Sequence, residues 1–337
     1  LSRTLNLKAQ PSSFWLQPRW QLGLVILAGV CAHITSIRAP FIFDDQVAVV
    51  ENTSIVSLSR MGEVLWPPTT GSGVTGRPLV NLSLALNYAW GALDPRGYHV
   101  FNIVLHALAG GLMFAVIRRL LHRALGSGSE SAADLLSLVV ASVWVVHPLQ
   151  TESVASVIQR TEILGGLFYL LVIWCFLRSL DSKVAARWRL AAVTACWLGM
   201  AAKEIVFTVP FVVFLVDRAL IAGSWRAAWR SRAGFYLGLL SAWLLLALIV
   251  YKMGGTRGEA AGFGVGGITW WQYFLRQWEA ICTYLKLVFW PHPLIVDYGY
   301  DVITSVRPVV VQGLVLFGLA GVTFFGVVRN QLWSVPA

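Results

Sequence analysis

The sequence predicts an all-α protein, a polytopic transmembrane helix bundle with about nine spans. Hydrophobic residues make up 57% of the 337 positions and charged residues 12%, and the mean hydropathy is +0.68. A soluble domain usually carries about 25% charged residues, so the chain has about half the charge expected of a water-soluble fold. About 20 apolar residues are needed for one helical crossing of a bilayer. The predicted spans are 20–37, 98–121, 135–146, 161–180, 188–201, 205–220, 233–251, 271–290 and 308–328.

The basic residues predict the orientation of the bundle. The net charge is +10, but the Lys and Arg residues form short clusters beside apolar segments and no extended face of the kind that binds nucleic acid. The clusters at 118–123, 178–189 and 218–232 fall on the same side as the N-terminal tail, residues 1–19, if each span crosses once. We expect this side to be cytoplasmic. The transmembrane domain, 20–330, then has a large extracytoplasmic first loop at 38–97.

Two adjacent carboxylates, Asp44 and Asp45, follow three apolar residues just beyond the first span. One of them can act as a general base if its neighbour or a nearby cation sets its pKa. Asp also commonly begins helices, so a helix cap or a solvated loop is the structural alternative for the pair.

A second polar group follows the third predicted span. His147 ends that span directly before a proline, and Glu152, Arg160 and Glu162 follow within sixteen residues. Glu152 and Arg160 lie eight residues apart, so they share a broad helical face. Ionisable groups at membrane depth are costly and usually face a cavity or a partner, so we interpret these four residues as functional candidates.

Two smaller motifs complete the set of candidates. Lys203 and Glu204 lie in a tight hairpin between two apolar segments, where a solvated turn is the structural alternative. Arg77 precedes a proline in the large loop and is suited to binding an anion through two parallel hydrogen bonds. With the assumed orientation, all four motifs lie at the extracytoplasmic end of the bundle.

Several function classes are disfavoured by what the sequence lacks. It has no Gly-rich phosphate loop, no Ser–His–Asp order of the hydrolase kind and no His-x-x-x-His zinc pair. A nucleotide-dependent cytoplasmic enzyme is therefore not expected, and we assign no metal ligands.

The motifs together resemble a known family, the transmembrane and tetratricopeptide-repeat O-mannosyltransferases and their bacterial relatives. The resemblance covers roughly residues 20–300, and the order and spacing of the motifs make it specific. The expected C-terminal tetratricopeptide repeats are absent from this sequence, which ends at 331–337. The matching stretches are Phe41–Asp45, Ala48–Asn52, Gly76–Leu79, Leu86–Tyr88, Leu93–Asn102, His147–Val154, Ala202–Glu204 and Leu287–Pro291.

The resemblance implies a GT-C-fold glycosyltransferase in a bacterial inner membrane. Such an enzyme moves a sugar from a polyprenyl-phosphate donor to a hydroxyl of a protein or glycolipid on the extracytoplasmic face. Asp44 would deprotonate the acceptor, with Asp45 orienting it or tuning Asp44. No cofactor is required, although the acidic pair can bind a divalent metal. The resemblance assigns the donor phosphate and sugar to Arg77, His147, Glu152, Arg160, Glu162, Lys203 and Glu204.

Three other functions stay open at this point. The chain can be a non-catalytic GT-C-like structural subunit of a larger membrane complex, which would leave Asp44 without a chemical role. It can also be an O-antigen-ligase-like transferase, which shares the donor and differs in the acceptor. A transporter would be indicated by inverted repeats and paired broken helices, and the sequence has neither.

Overall fold

The computed structural model describes residues 17–67, 73–253, 267–296, 298 and 302–329. Most of the predicted N-terminal tail and the C-terminal 330–337 lie outside the described residues. All regular secondary structure in the described part of the chain is helical, as predicted. The α-helices are α1 Pro18–His33, α2 Met61–Leu65, α3 Pro78–Gly91, α4 Pro95–Leu125, α5 Glu130–Val146, α6 Gln150–Ala155, α7 Arg160–Asp181, α8 Ala185–Met200, α9 Val209–Asp217, α10 Trp225–Leu240, α11 Ala242–Lys252, α12 Trp270–Phe289 and α13 Val310–Val328.

Within the described ranges, six helical segments are long and apolar enough to cross a membrane, so the chain is an integral, multi-pass membrane protein. Every predicted span contains a helix, but α5 and α8 have only 17 and 16 residues, and α12 carries three charged side chains. The count of nine therefore stays a prediction. The six segments are Pro18–Arg38, Pro95–Leu125, Arg160–Asp181, Glu204–Ala222, Trp225–Lys252 and Arg307–Val327.

The predicted first loop consists mainly of short helices that pack on one end of the bundle. Between α1 and α4 lie a 3-10 helix at Ile34–Arg38, a π-helical turn at Gln46–Val50, two further 3-10 turns, α2 and α3. Their apolar side chains form a small core with the turn that precedes α7. The core includes Val49, Ile55, Val80, Leu84, Tyr98 and Val157, all almost fully buried.

A larger core holds the transmembrane helices together. Side chains of α7, α8, α9 and α10 meet there, including Phe176, Leu177, Cys196, Val213 and Leu239. The rings of Phe176 and Phe235 stack with their centroids 5.7 Å apart. On α7 this core extends from Phe168 to Leu180, so it fixes the part of the helix towards its C-terminal end.

The basic clusters meet at one end of the bundle. Arg119 and Arg123 of α4 each approach the carboxylate of Asp181, at the end of α7, to within 2.8 Å. Nearby, Arg232 and Tyr236 bind the buried carboxylate of Asp217. The sequence prediction that the 118–123 cluster and the end of the 161–180 span share one side is confirmed by these contacts. The polar motifs lie at the other end of α7.

Candidate functional site

The two adjacent carboxylates have different surroundings. Asp44 is exposed, and in the described part of the chain no hydrogen bond or ion pair involves its side chain. Asp45 is completely buried. Between them and the preceding 3-10 helix, Phe43 adopts a positive φ of +48°, a backbone conformation that costs energy for a residue with a side chain and that is common at functional sites.

Asp45 connects the first loop to the turn before α7. Its Oδ1 accepts hydrogen bonds from the Ile158 backbone N–H at 2.8 Å and the Ser156 hydroxyl at 3.3 Å, and its Oδ2 accepts one from the Val157 N–H at 3.2 Å. A longer bond of 3.4 Å comes from the Ile42 N–H. Backbone and hydroxyl donors thus occupy both oxygens, and the geometry favours Asp44 over Asp45 as the residue available to a substrate.

The occupied oxygens of Asp45 also bear on metal binding. Two carboxylates share a cation when both present free oxygen atoms to it. Here only Asp44 does so, and the described residues contain no group of three His, Cys, Asp or Glu side chains that could hold a metal ion. The acidic pair therefore does not fit a metal ion.

The turn that binds Asp45 is also held from the opposite side by α4. The amide of Asn102 donates towards the carbonyl oxygens of Val154, Ser156 and Val157 at 3.1–3.4 Å. Asn102 is fully buried and was not among the predicted site residues, although it lies in a motif of the resemblance. An amide side chain within the apolar part of α4 was the signal in the sequence that could have found it.

Among the residues that the structure describes, Arg160 is the largest fully buried side chain. Its Nη1 donates to Asn87 Oδ1 at 2.7 Å and to Ser83 Oγ at 3.2 Å, and its Nη2 donates to the Tyr98 carbonyl at 3.2 Å. The guanidinium also lies 4.8 Å from the ring centroid of Phe101. All of these partners are neutral, so Arg160 contributes a positive charge just beneath the turn that binds Asp45, where little water screens it.

Four of the predicted residues form a charge cluster beside that turn. Lys203 makes an ion pair with Glu162 of α7, and Arg77 lies 3.5 Å from Glu204. Arg77 also donates to the Gly73 carbonyl at 2.7 Å. Gly165 of α7 faces Lys203. A side chain at this position would collide with Lys203, because its Cβ would lie 2.7 Å from Lys203 Cβ. The cluster thus joins three segments that are distant in sequence.

The charge cluster, as we call Arg77, Glu162, Lys203 and Glu204, is partly open to solvent. The Glu162 side chain is 43% exposed and that of Lys203 22% exposed. Burial lowers the pKa of Arg77, while the Glu162 carboxylate acts in the opposite direction. A backbone hydrogen bond of 3.1 Å from the Leu79 N–H to the Ala201 carbonyl holds the start of α3 to the end of α8 beside the cluster.

Two predicted residues lie apart from the cluster. Glu152 is exposed, and its nearest partner is the Gln159 amide at 3.4 Å. His147 accepts the Leu149 N–H on Nδ1 at 3.2 Å, so its Nε2 carries the proton and donates to the Val288 carbonyl of α12 at 3.1 Å. With both ring nitrogens engaged, His147 joins α12 to the bundle, and no described contact brings it to Asp44.

A network of buried amides supports the first loop and was not predicted. The Asn52 amide donates to Asn81 Oδ1 at 2.9 Å and to the Ala48 carbonyl, and the Asn81 amide donates to the Val64 carbonyl at 2.8 Å. The Ser54 hydroxyl closes the network by donating to Asn52 Oδ1 and accepting from Asn81. Buried polar groups need such partners, and here they fix the segment that follows the carboxylate pair.

No family model matches the chain, and no solved structure matches it. Among curated proteins, the protein O-mannosyl-transferase tmtc2 of Xenopus laevis is 26% identical over 251 residues, 68% of this chain and 29% of that protein. Human TMTC4 is 32% identical over 48% of the chain, and Drosophila melanogaster Tmtc1 is 32% identical over 45%. These alignments cover 29%, 23% and 17% of the relatives' own lengths. The resemblance predicted from the motifs is therefore confirmed, and the chain is related to the protein O-mannosyl-transferases.

Proposed function

We propose that the chain is a membrane glycosyltransferase that transfers a sugar, mannose by analogy with its relatives, from a polyprenyl-phosphate donor to a protein hydroxyl. The observation that carries the proposal is the contrast between the two adjacent carboxylates. Asp45 is fixed by hydrogen bonds within the protein, whereas Asp44 is exposed beside it with no described partner. A rigidly placed, accessible carboxylate is what general base catalysis requires.

In the proposed reaction, Asp44 accepts the proton of the acceptor hydroxyl. The hydroxyl oxygen forms a bond to the anomeric carbon of the sugar, and the bond from that carbon to the phosphate oxygen breaks. The phosphate leaves with the bonding electrons and an additional negative charge. Attack from the face opposite the leaving group inverts the anomeric centre, as the fold analogy implies.

The charge cluster is suited to binding the leaving phosphate. A lysine ammonium has three N–H donors, so Lys203 keeps two for a ligand while it binds Glu162. Donors that are already in place where charge develops stabilise a transition state, because they need no reorganisation. Arg160 adds a fixed positive charge from below, without direct contact with the ligand.

We place this site on the extracytoplasmic face of a bacterial inner membrane. The Arg-rich ends of α4 and α7 meet at the opposite end of the bundle, which supports a cytoplasmic location for that end by the positive-inside rule. The short basic loops support a bacterial protein. Glu152 and His147, which lie apart from the charge cluster, are proposed to contact the acceptor or the sugar and to position α12, respectively.

The experiment uses full-length protein in proteoliposomes with a radiolabelled polyprenyl-phosphate mannose and a Ser/Thr-rich acceptor peptide. We expect labelled peptide with the wild type and a loss of about 10²- to 10⁴-fold for Asp44→Asn, the usual contribution of a general base. Glu63→Gln is the matched control, because Glu63 is an exposed carboxylate of the same loop. Slow hydrolysis of the donor, in which water takes the place of the acceptor, is measured separately. Activity is then detected even if the peptide is not an acceptor.

The alternative, a non-catalytic structural subunit of a membrane complex, predicts a different result. Wild-type protein would then neither transfer nor hydrolyse any donor in a panel of polyprenyl-phosphate sugars, and Asp44→Asn would complement a deletion strain fully. That pair of outcomes would refute the proposed activity.

A further inference from the structure

An open groove of about 390 Å³ runs along the outer surface of the bundle between α7 and α8. Its walls are almost wholly apolar and include Phe168 of α7 and Leu190, Ala191 and Leu198 of α8. One charged residue, Arg187, also lines it. On α7 the groove begins at Phe168, eight residues or about 12 Å along the helix from Arg160, and none of its lining residues belongs to the candidate site.

The groove has the length of one bilayer leaflet. Its lining extends on α8 from Arg187 to Leu198, eleven positions further along, which corresponds to about 16 Å at the helical rise of 1.5 Å per residue. One leaflet contributes about half of the roughly 30 Å hydrocarbon core. A single acyl chain that lies parallel to the helix therefore matches the groove in length and in polarity.

The end of the groove at Arg187 carries excess positive charge. The segment 178–189 contains four basic residues and one acidic residue, Asp181, which already binds Arg119 and Arg123 of α4. In the described part of the chain, no hydrogen bond or ion pair involves the exposed Arg187 side chain. A ligand with an anionic head would supply the counter-charge that Arg187 lacks.

Two tryptophans lie beside this basic end. The Arg178 guanidinium lies 5.9 Å from the ring centroid of Trp174 and 5.3 Å from that of Trp188, and the two rings meet edge to face. Trp is enriched at the depth of lipid headgroups. The pair therefore places Arg187, one residue from Trp188, at the depth of a lipid phosphate.

We propose that the groove binds an anionic glycerophospholipid, with one acyl chain along α8 and the phosphate at Arg187. The charge at Arg187 distinguishes this occupant from the tail of a polyprenyl-phosphate donor. A donor whose phosphate lies at the charge cluster would enter the groove from the Leu198 end, and its apolar tail would then meet Arg187. The proposal depends on the membrane location of the bundle and does not depend on glycosyl transfer.

The test counts bound lipids by native mass spectrometry of the delipidated full chain. Palmitoyl-oleoyl phosphatidylglycerol and the matched phosphatidylcholine are titrated separately. We expect the wild type to retain one phosphatidylglycerol in preference to phosphatidylcholine. Arg187→Ala should weaken phosphatidylglycerol binding about fivefold, since one basic residue near an anionic lipid contributes about 1 kcal/mol. Arg230→Ala, an exposed arginine outside the groove, should leave binding unchanged.

A second pair of variants tests the acyl-chain site. Ala191 is exposed and lines the groove, so Ala191→Trp should fill it and abolish retention of phosphatidylglycerol. Ala186→Trp, on the same helix but outside the lining, is the control, and Ala191→Leu replaces Ala191→Trp if that variant does not fold. Folding of each variant is checked by its thermal midpoint.

Three results would overturn the proposal. The first is equal retention of the two phospholipids, and the second is phosphatidylglycerol binding that is unaffected by Arg187→Ala or by filling the groove at Ala191. The third uses undecaprenyl phosphate as a probe. The groove holds a donor tail instead if undecaprenyl phosphate displaces phosphatidylglycerol, and if its binding is lost when the groove is filled but is unchanged by Arg187→Ala.

Discussion

Replacing Asp45 with asparagine exchanges one carboxylate oxygen for an NH₂ group in a fully buried position. The asparagine oxygen can keep the 2.8 Å bond from the Ile158 N–H, and the NH₂ group then faces the Val157 and Ile42 N–H groups, which lose their acceptor. A buried donor left without a partner costs about 1–3 kcal/mol. Since the Ile42 bond is long and weak, we expect Asp45→Asn to lower the free energy of unfolding by about 2–4 kcal/mol.

The same substitution one residue earlier should act on catalysis alone. Asp44 is exposed, and substitutions at such positions usually change stability by less than about 0.5 kcal/mol. Asp44→Asn removes the proposed base while keeping the size of the side chain. We expect near-wild-type unfolding and the loss of sugar transfer stated above.

The two variants are compared in one detergent by thermal unfolding and, in proteoliposomes, by sugar transfer. Transfer by Asp45→Asn is measured well below its unfolding midpoint, so that its folded fraction is known. The reasoning would be refuted if Asp44→Asn unfolded as readily as Asp45→Asn, or if Asp45→Asn matched the wild type in stability. The first result would mean that Asp44 also stabilises the fold, and the second that the hydrogen bonds of Asp45 do not hold the loop.

Three further substitutions test neighbouring parts of the site. Arg160→Ala should destabilise the fold by about 3–5 kcal/mol, measured by thermal unfolding, because it opens a cavity and removes the donor from Asn87 and the Tyr98 carbonyl. Lys203→Met should change stability by less than about 1 kcal/mol, since its ion pair is partly exposed. It should raise the donor KM or lower kcat in transfer assays, with partial rescue by Lys203→Arg. Asn102→Ala should cost about 1–2 kcal/mol and speed amide hydrogen exchange at 154–158.

Much of the fold follows from hydrophobic patterning, because long apolar segments in a bilayer must form helices to satisfy their backbone groups. The positions of α1, α4, α7 and α13 were predicted in this way. The number of membrane-spanning helices was less predictable. Helices such as α5 and α8 are close to the length limit, and their location depends on packing as well as on composition.

The site was predictable as a set of segments but not as a set of contacts. The motifs identified Asp44, Arg77, Glu162 and Lys203, and three of these meet in the charge cluster. The resemblance implied that Asp44 is the base, but the hydrogen bonds that hold Asp45 were not predictable, because their backbone N–H donors lie in a turn more than a hundred residues away. Sequence adjacency says nothing about such a long-range choice.

The partners of Arg160 illustrate a second limit. From the sequence, Arg160 looked like a phosphate ligand, because ionisable residues near a membrane surface usually face a cavity or a partner. In the structure its hydrogen-bond acceptors are Ser83, Asn87 and a backbone carbonyl, and its side chain is fully buried. Asn87 lies in a matching stretch of the resemblance, but nothing in the sequence links it or Ser83 to Arg160, so only packing could reveal them as its partners.

The four charges of the charge cluster sum to zero, so its carboxylates compete with any anionic ligand for its two cations. An anion that approaches Lys203 or Arg77 must compete with Glu162 or Glu204 for the same N–H groups. Free phosphate in solution would have to displace these carboxylates at its bulk concentration. A phosphate carried on a membrane lipid is confined near the site, which raises its effective concentration. Carboxylates that pair with the binding cations in this way favour ligands attached to a membrane lipid over dissolved ions. When the ligand dissociates, the ion pairs form again.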